Sequence, residues 1–516
     1  MIATGLCWSA QSGLTRAMGR TFSRRAFLGG ASAAALAGPV IAAPPEASLR
    51  PVLRGDDLFK KAVPGAAEIV RAQKLSGDLA YALADARTGA WLECENERLA
   101  TPPASVTKAV TALYALEALG GSHRFETLLG ATGGIVDGVV QGDLLLIGGG
   151  DPTLDTDALA EMAASLKAAG VRSVKGGFQV YEAHLPVQRH IDPAQPDQVG
   201  YNPAVTGLAL NYNRVHFEWK RSNGTYVVTM DGRSEKYRPD VTMATMRIED
   251  RKTPIYTYRD AGGKDQWTVA KGALGKGGAR WLPVRRPGLY AGEVFQTMAG
   301  AHGIRLKRPE VIDTLPAHEV CVRHESGALR GILQDMLKYS NNLTAEMVGL
   351  AASQSRLGRV ADLRASAAEM NRWATGALRM KQPALVDHSG LGDDSRLTAL
   401  DMTRALLAVR ETDFRQILKR FGFRDEKGRP VSEQAIAVDA KTGTLNFVST
   451  LAGYITGADG REMAFAIFIA DQDARARITR EEREGPPGGQ TWNRKAKRVQ
   501  QALIERWDAL YGRLES

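Results

Sequence analysis

Cysteine is scarce in this chain, and so are long apolar runs, concentrated positive charge and low-complexity sequence. Three cysteines occur in 516 residues. A chain that has shed Cys7 can form at most one pair, Cys94 with Cys321, and only in an oxidising compartment. Beyond the N-terminal stretch no segment approaches the roughly 20 consecutive apolar residues that a spanning helix needs, so no transmembrane anchor is expected after the leader. Basic residues outnumber acidic ones, 67 against 57, but the excess is spread along the chain. A nucleic-acid-binding protein would gather it on one element, so nucleic acid is not an expected partner. Hydrophobic residues at 44% and charged residues at 24% are the balance of a chain that buries a core, which excludes disorder on a large scale. At about 150 residues per domain the length accommodates about three domains.

Acidic residues are absent from residues 1–42, which carry Arg16, Arg20, Arg24 and Arg25. Arg24 and Arg25 stand directly before Ala26-Phe27-Leu28, and a Gly/Ala-rich apolar run ends in small residues near Val40-Ile41-Ala42. This is the pattern of a cleavable export signal, and the paired arginines point to the twin-arginine route. Gly29, Gly30 and Pro39 make the alternative, a membrane anchor, a poor helix. Removal of the leader lowers the formal charge from +10 to about +6, a mild excess that suits an acidic polymer such as the cell wall. A chain folded before export folds reduced, which leaves the pairing of Cys94 with Cys321 open.

Along the rest of the chain, residues 56–73 read as a helix, and two strands follow at Asp78–Ala84 and Ala90–Cys94 around an Arg87-Thr-Gly turn. A helix from Ser105 to about Leu119 ends at Gly120-Gly121. Between His123 and Val320 short strand-like runs alternate with Gly- and Asp-rich turns, with one helix near Asp157–Ala169. Such a stretch is far too long for a loop and must fold by itself. Helical patterning returns at Leu329–Leu337, Asn342–Ser353, Ala361–Leu378 and Ala399–Ala408. Two strands, Ser449–Ile455 and Met463–Ile469, precede a last helix with Val499, Leu503, Trp507 and Leu510 on one face. Strands near both ends flank a helical middle, which gives an α+β fold whose antiparallel sheet packs on helices and whose catalytic unit is discontinuous in sequence.

Three short motifs fall in order: Ser105-Val-Thr-Lys108, Ser340-Asn341-Asn342 and Lys441-Thr442-Gly443. Each alone is common; the ordered set is specific. A serine hydroxyl attacks only when a neighbouring base takes its proton, and three residues along a helix bring Lys108 beside Ser105. Lys108 must shed its own proton near neutral pH, which takes burial or a second cation, and Lys441 is the candidate cation. Ser340 can relay a proton to the leaving amine, and Asn342 can hold the substrate amide. The amides of Ser105 and Thr444 are candidates for an oxyanion hole, a contribution of about 3 kcal/mol per donor.

With these motifs the chain resembles the low-molecular-mass class C penicillin-binding proteins, the D-alanyl-D-alanine carboxypeptidase/endopeptidase family. The resemblance extends to Gly148-Gly-Gly-Asp-Pro-Thr-Leu154, Asp387-His-Ser-Gly-Leu391 and Leu451-Ala-Gly-Tyr454. It implies a penicillin-binding/β-lactamase-like transpeptidase domain formed by residues 43–122 and 321–516. It also implies two mostly-β inserted domains within 123–320, one nested in the other at about 209–285. Further implications are Ser105 as nucleophile, Lys108 as base, Ser340 and Asn342 as the second element, and Lys441 gripping the substrate carboxylate beside Thr442, Gly443 and Thr444. Peptidoglycan stems and cross-links would be the substrates, β-lactam antibiotics the inhibitors, and the periplasm the location. Similar enzymes place an acidic residue near the cleft for the diaminopimelate side chain, for which Asp151 is the candidate, a turn-forming role before Pro152 being the equal alternative. His388 departs from the resemblance, standing where a small residue is usual.

Competing readings fit less well. A compact β-lactamase has no room for the stretch between Lys108 and Ser340, and no Glu-x-x-Leu-Asn follows Ser340; Glu369-Met-Asn has the wrong spacing. A non-catalytic wall-binding scaffold has no use for an intact Ser105, Lys108 and Lys441. His318, Glu319 and His324 miss the four-residue spacing of a helical zinc motif, and Gly272–Lys276 fails as a phosphate loop. No metal or cofactor is implied. Trp267, Trp281 and Tyr290 suit either sugar stacking or core packing.

Overall fold

The computed structural model describes residues 63–425, 427–431 and 436–512. The export leader at 1–42 and the first part of the helix expected from residue 56 lie outside the described residues; the described part of that helix is Ala66–Gln73. A six-stranded antiparallel sheet runs in the order Lys419–Arg420, Ala437–Leu445, Val448–Thr456, Glu462–Ala470, Asp78–Asp85, Trp91–Glu95. Its central strands are apolar almost throughout because both faces are covered. In the strand Glu462–Ala470, Met463, Phe465, Ile467 and Ile469 meet the C-terminal helix Gly489–Tyr511, whose Val499, Leu503 and Trp507 are buried. The alternate residues Ala464 and Ala466 face the other side. Their small size lets the helix Ala399–Ala408 approach closely enough for Thr403 Oγ1 to donate to the carbonyl of Ala82.

Helices Thr107–Leu119, Leu329–Tyr339, Asn342–Leu357 and Leu363–Ala377 fill the rest of that side. Asp362 and Thr398 cap Leu363–Ala377 and Ala399–Ala408 through their side-chain oxygens, the usual remedy for a helix's orphan N–H groups.

The chain leaves this unit after Phe125 and returns at Ser326. The two residues exchange backbone bonds of 2.8 Å and 2.9 Å, the second to Ser326 Oγ. Beyond this neck, Glu126–Ala131 pairs antiparallel with Glu319–Glu325, so the outgoing and returning chains are neighbours in one five-stranded sheet. Bringing the ends together in this way makes a long insertion inexpensive in loop entropy. Besides a small sheet of Ile135–Val136, Val139–Val140 and Ser173–Val174, two three-stranded sheets lie between, one of Arg214–Ser222, Thr225–Asp231 and Gly277–Pro283, the other of Ala244–Glu249, Tyr256–Asp260 and Asp265–Ala270. A single apolar cluster runs through these sheets and includes Trp267 and Tyr290, which assigns both rings to the core.

A second long helix, Pro287–Ala301, stands in this region, where the sequence suggested only one. Its Pro287 sits at the first turn, where a missing N–H costs nothing. Two of its glycines allow close packing: a Cβ on Gly288 would lie 2.9 Å from Glu182, and one on Gly292 2.6 Å from Pro309. Low intrinsic propensity therefore hides a helix that tertiary contact stabilises. Cys321 is a free thiol, so Cys94 and Cys321 are not paired. Among the described residues no helix is long and apolar enough to cross a membrane.

Candidate active site

Ser105 occupies a single 3-10 turn, Ala104–Val106, that feeds the helix Thr107–Leu119. Ala104 before it has φ +48°, a left-handed conformation uncommon for a residue with a side chain. Gly390, also at positive φ, lies so close that a Cβ there would come within 1.9 Å of the Ala104 carbonyl. The second motif also sits at a junction. Ser340 ends the helix Leu329–Tyr339 with φ +60°, Asn341 caps the next helix by accepting from Thr344 N at 3.1 Å, and Asn342 opens that helix. Lys441-Thr442-Gly443 lies in the strand Ala437–Leu445. The short outer strand covers only Asp439 and Ala440, and a Cβ on Gly443 would be 3.0 Å from Ser105 N. The glycine lets this strand and the Ser105 turn touch.

The fold brings the motif side chains together. Lys108 Nζ lies 3.0 Å from Ser105 Oγ and donates to Asn342 Oδ1 and to the carbonyl of Ser389, both at 2.7 Å. Lys441 Nζ lies 3.0 Å from Ser340 Oγ and 2.8 Å from its neighbour's carbonyl on Thr442. Both lysines are buried. Burial brings Lys108 down to about 8, while Glu346 and Asp387 oppose that fall. Burial also takes Lys441 well below its ordinary value, helped by Lys108. Desolvation, rather than a second cation, is thus the main cause of the lowering at Lys108.

Four further groups had been given no role from the sequence, although Asp387 opens one of the motifs that carry the resemblance. Glu346 is fully buried and accepts from His388 N at 3.0 Å and Ser389 N at 2.9 Å. Asp387 accepts from Gly390 N and Gly392 N at 2.7 Å and 2.6 Å. Burial raises both carboxyls, Glu346 to about 8. The inserted region supplies Gln195 and Tyr201 to the wall of a cleft of about 310 Å³ that also holds Ser105, Ser340, Asn342 and Thr444. Asn342 Nδ2 donates to the Tyr201 carbonyl at 2.9 Å. Glu346 carried a faint signal, standing one helical turn after Asn342 on the same face; Tyr201 carried none. A larger cavity of about 1120 Å³ lies elsewhere. Its charges are engaged in ion pairs such as Arg415–Asp439 and Arg461–Asp85, and it holds none of the three motifs.

Asp151 does not line the cleft. It is buried in the insert, where Oδ1 closes a turn onto Thr153 N and Oγ1 at 2.8 Å and 2.6 Å, and Oδ2 lies 3.9 Å from His324 Nε2. The glycines before it are there for close packing: Cβ atoms on Gly148 and Gly149 would strike the carbonyls of Gly207 and Glu126. The carboxylates that do line the cleft are Asp393 and Glu484. Arg475 and Arg483 bind Asp393, and Arg280 binds Glu484.

His388 is accommodated by a glycine on the facing helix. Its ring is fully buried, with Nε2 2.7 Å from Ser366 Oγ, and burial lowers it to about 3, so the imidazole is neutral. A Cβ on Gly349 would lie 2.2 Å from the ring. The unusual histidine and the mid-helix glycine are one packing unit.

Known proteins share this architecture. The model of the D-Ala-D-Ala carboxypeptidase 3 (S13) family matches residues 66–484. The D-alanyl-D-alanine carboxypeptidase of an Actinomadura species is 27% identical over 408 residues, covering 71% of this chain and 72% of the relative. The D-alanyl-D-alanine carboxypeptidase DacB of Haemophilus influenzae is 24% identical over 393 residues, 71% and 80% of the two chains. The crystal structure of penicillin binding protein 4 (dacB) from Haemophilus influenzae matches with a TM-score of 0.68 at 19% identity, covering 86% of this chain and all of that one. That likeness establishes the shared α+β penicillin-binding fold.

Proposed function

Because the chain belongs to the D-Ala-D-Ala carboxypeptidase 3 (S13) family, a family of serine peptidases, we propose that it hydrolyses D-alanyl-D-alanine bonds of peptidoglycan through an acyl-serine on Ser105. In this reading neutral Lys108 takes the Ser105 proton as Oγ attacks the carbonyl between the two D-alanines. The N–H groups of Ser105 and Thr444 receive the oxyanion. The proton taken by Lys108 then passes to the departing D-alanine amine by way of Ser340, whose Oγ lies 3.0 Å from Lys441 Nζ, after which water hydrolyses the ester. Lys441 meets the terminal carboxylate with Thr442 and Thr444 beside it. The incoming anion supplies the counter-charge that a buried ammonium lacks.

The observation that carries this reading is the environment of Lys108 Nζ, which is buried, lowered to about 8 and in contact with Ser105 Oγ. The catalytic unit is residues 43–122 with 321–516, and 123–320 forms two accessory domains, the inner at about 209–285. The protein works in the periplasm, sent there by the twin-arginine leader. Replacing Arg24 and Arg25 with lysine should leave precursor in the cytoplasm; unchanged export would refute that route.

The deciding experiment is intact-mass measurement after penicillin treatment. A penicillin copies the D-alanyl-D-alanine end, and its opened ring stays tethered where water must enter. Glu346 and Asp387 are bound to backbone N–H groups behind Lys108, so neither serves as a deacylation base in the cleft. One persistent adduct on the peptide containing Ser105, absent from Ser105→Ala, is expected. Rapid turnover without an adduct would indicate a β-lactamase, and neither adduct nor peptide hydrolysis would indicate a scaffold.

A further inference from the structure

A buried amine needs a fixed acceptor for every proton it carries, and one of the three partners of Lys108 is the carbonyl of Ser389, which belongs to the loop that follows Asp387. What holds that carbonyl in place is visible in the surrounding bonds. Glu346, four residues after Asn342 on the same helix, grips the N–H groups of His388 and Ser389 with its two oxygens. Asp387 grips the N–H groups of Gly390 and Gly392. The N–H of Gly390 and the C=O of Ser389 are the two ends of one peptide group. A continuous chain therefore runs from Asp387 Oδ1 through that peptide to Lys108 Nζ, with 2.7 Å at each step.

We propose that Glu346 and Asp387 are positioning residues for the acylation base: they pin the Ser389 peptide from both sides and set the charge that Lys108 faces. The proposal rests on the reading of Lys108 as base. A carboxylate at one end of a hydrogen-bonded peptide polarises it and strengthens the bond at the other. Negative charge on either acid favours the ammonium, and a proton on either favours the free amine. Two carboxyls this deeply buried do not both ionise readily; Glu346 is brought to about 8, the same value as Lys108. The other charged groups of the surroundings are Lys441 from the strand and Asp192 from the insert, which acts on Asp387. His388 is neutral. During acylation the Ser105 O–H bond breaks and an N–H bond forms on Lys108, so the new ammonium arises beside acids able to answer it. Neither acid lines the cleft, so neither touches substrate.

The test is the pH profile of penicillin acylation in Glu346→Gln, Glu346→Asp and Asp387→Asn, with Lys108→Met alongside. Removing a charge should make the ammonium less favoured. The acid limb of Glu346→Gln and Asp387→Asn should therefore move down by about one unit, with the plateau rate about tenfold lower or more and KM for peptide substrate little changed. Glu346→Asp keeps the charge with a shorter reach, so its plateau should fall while its limb stays. A limb and plateau within about twofold of the parent in both neutral variants would overturn the proposal. So would a lower plateau with a fixed limb, which a merely structural role would give. Should the variants not fold, infrared difference spectra of the unaltered enzyme decide: a protonated carboxyl at about pH 6 that is lost by about pH 9 is expected, and its absence refutes the idea. Undiminished acylation by Lys108→Met would instead refute the base assignment, a pattern distinct from either failure above.

Discussion

In the buried floor beneath the cleft, Lys108, Glu346 and Asp387 are almost wholly removed from water, and backbone groups hold both acids. At the rim, Arg480 reaches Asp197 at 2.9 Å and Arg280 reaches Glu484 at 2.6 Å, joining the segment after the last strand to the insert with side chains a quarter to nearly half exposed. The floor places charges where each depends on its neighbours, because a buried ion without compensation is expensive. The rim places them where water and salt screen them. In the proposed function chemistry concentrates in the first region, and the second fastens the insert only lightly; the apolar cluster of Leu185, Ile191 and Val205 with Leu343, Met347 and Leu350 is a buried attachment.

Lys108→Met offers the strongest test of this contrast. Acylation should fall by about 10²–10⁴-fold, the usual contribution of a positioned base, as read by the second-order rate with a penicillin. In the parent, kcat/KM should rise with pH through about 8, because only the neutral amine accepts the serine proton and it predominates above that value. A profile flat from acid to alkaline pH would break the distinction between floor and rim.

Lys441→Ala should raise KM by about 10- to 100-fold, the scale of a lost hydrogen bond to a charged group. It should leave the acid limb of kcat/KM in place, since burial already accounts for Lys108. A limb displaced by a full unit would reinstate Lys441 as the cation that depresses Lys108.

Gly349→Ala should destabilise the fold by about 1–3 kcal/mol through overpacking against His388, measured by denaturant unfolding. In a His388→Ala background most of that cost should vanish, since neighbouring effects do not add.

The smallest effect belongs to the rim. Arg480→Ala should cost at most about 1 kcal/mol, and less at high salt. A large, salt-independent loss would show that the strap after the last strand is a structural element of the floor.

How much of this was legible beforehand depends on whether the information was local. The three motifs, the apolar strand Glu462–Ala470 and the face of the last helix depend on near neighbours in sequence, and the structure places them where periodicity and spacing suggested. The helix Pro287–Ala301 was hidden because its glycines answer to Pro309 and Glu182, contacts that no window contains. Asp151 was open to two readings, a substrate contact or a turn before Pro152, and its bonds to Thr153 favour the turn. Tyr201 enters the cleft through its backbone carbonyl, which any residue type could provide, so its identity carried no signal.

The contact between Gly349 and His388 also has a historical consequence. With a small residue at 388, position 349 tolerates a side chain; with histidine there, the space for one is gone. An ancestor could reach the present pair by acquiring the glycine first and the histidine second, whereas the reverse order passes through a clashing intermediate. Once both are in place, replacing the glycine carries the overpacking cost until the histidine has been lost, so the two sites favour an order of change that neither position, taken by itself, would disclose.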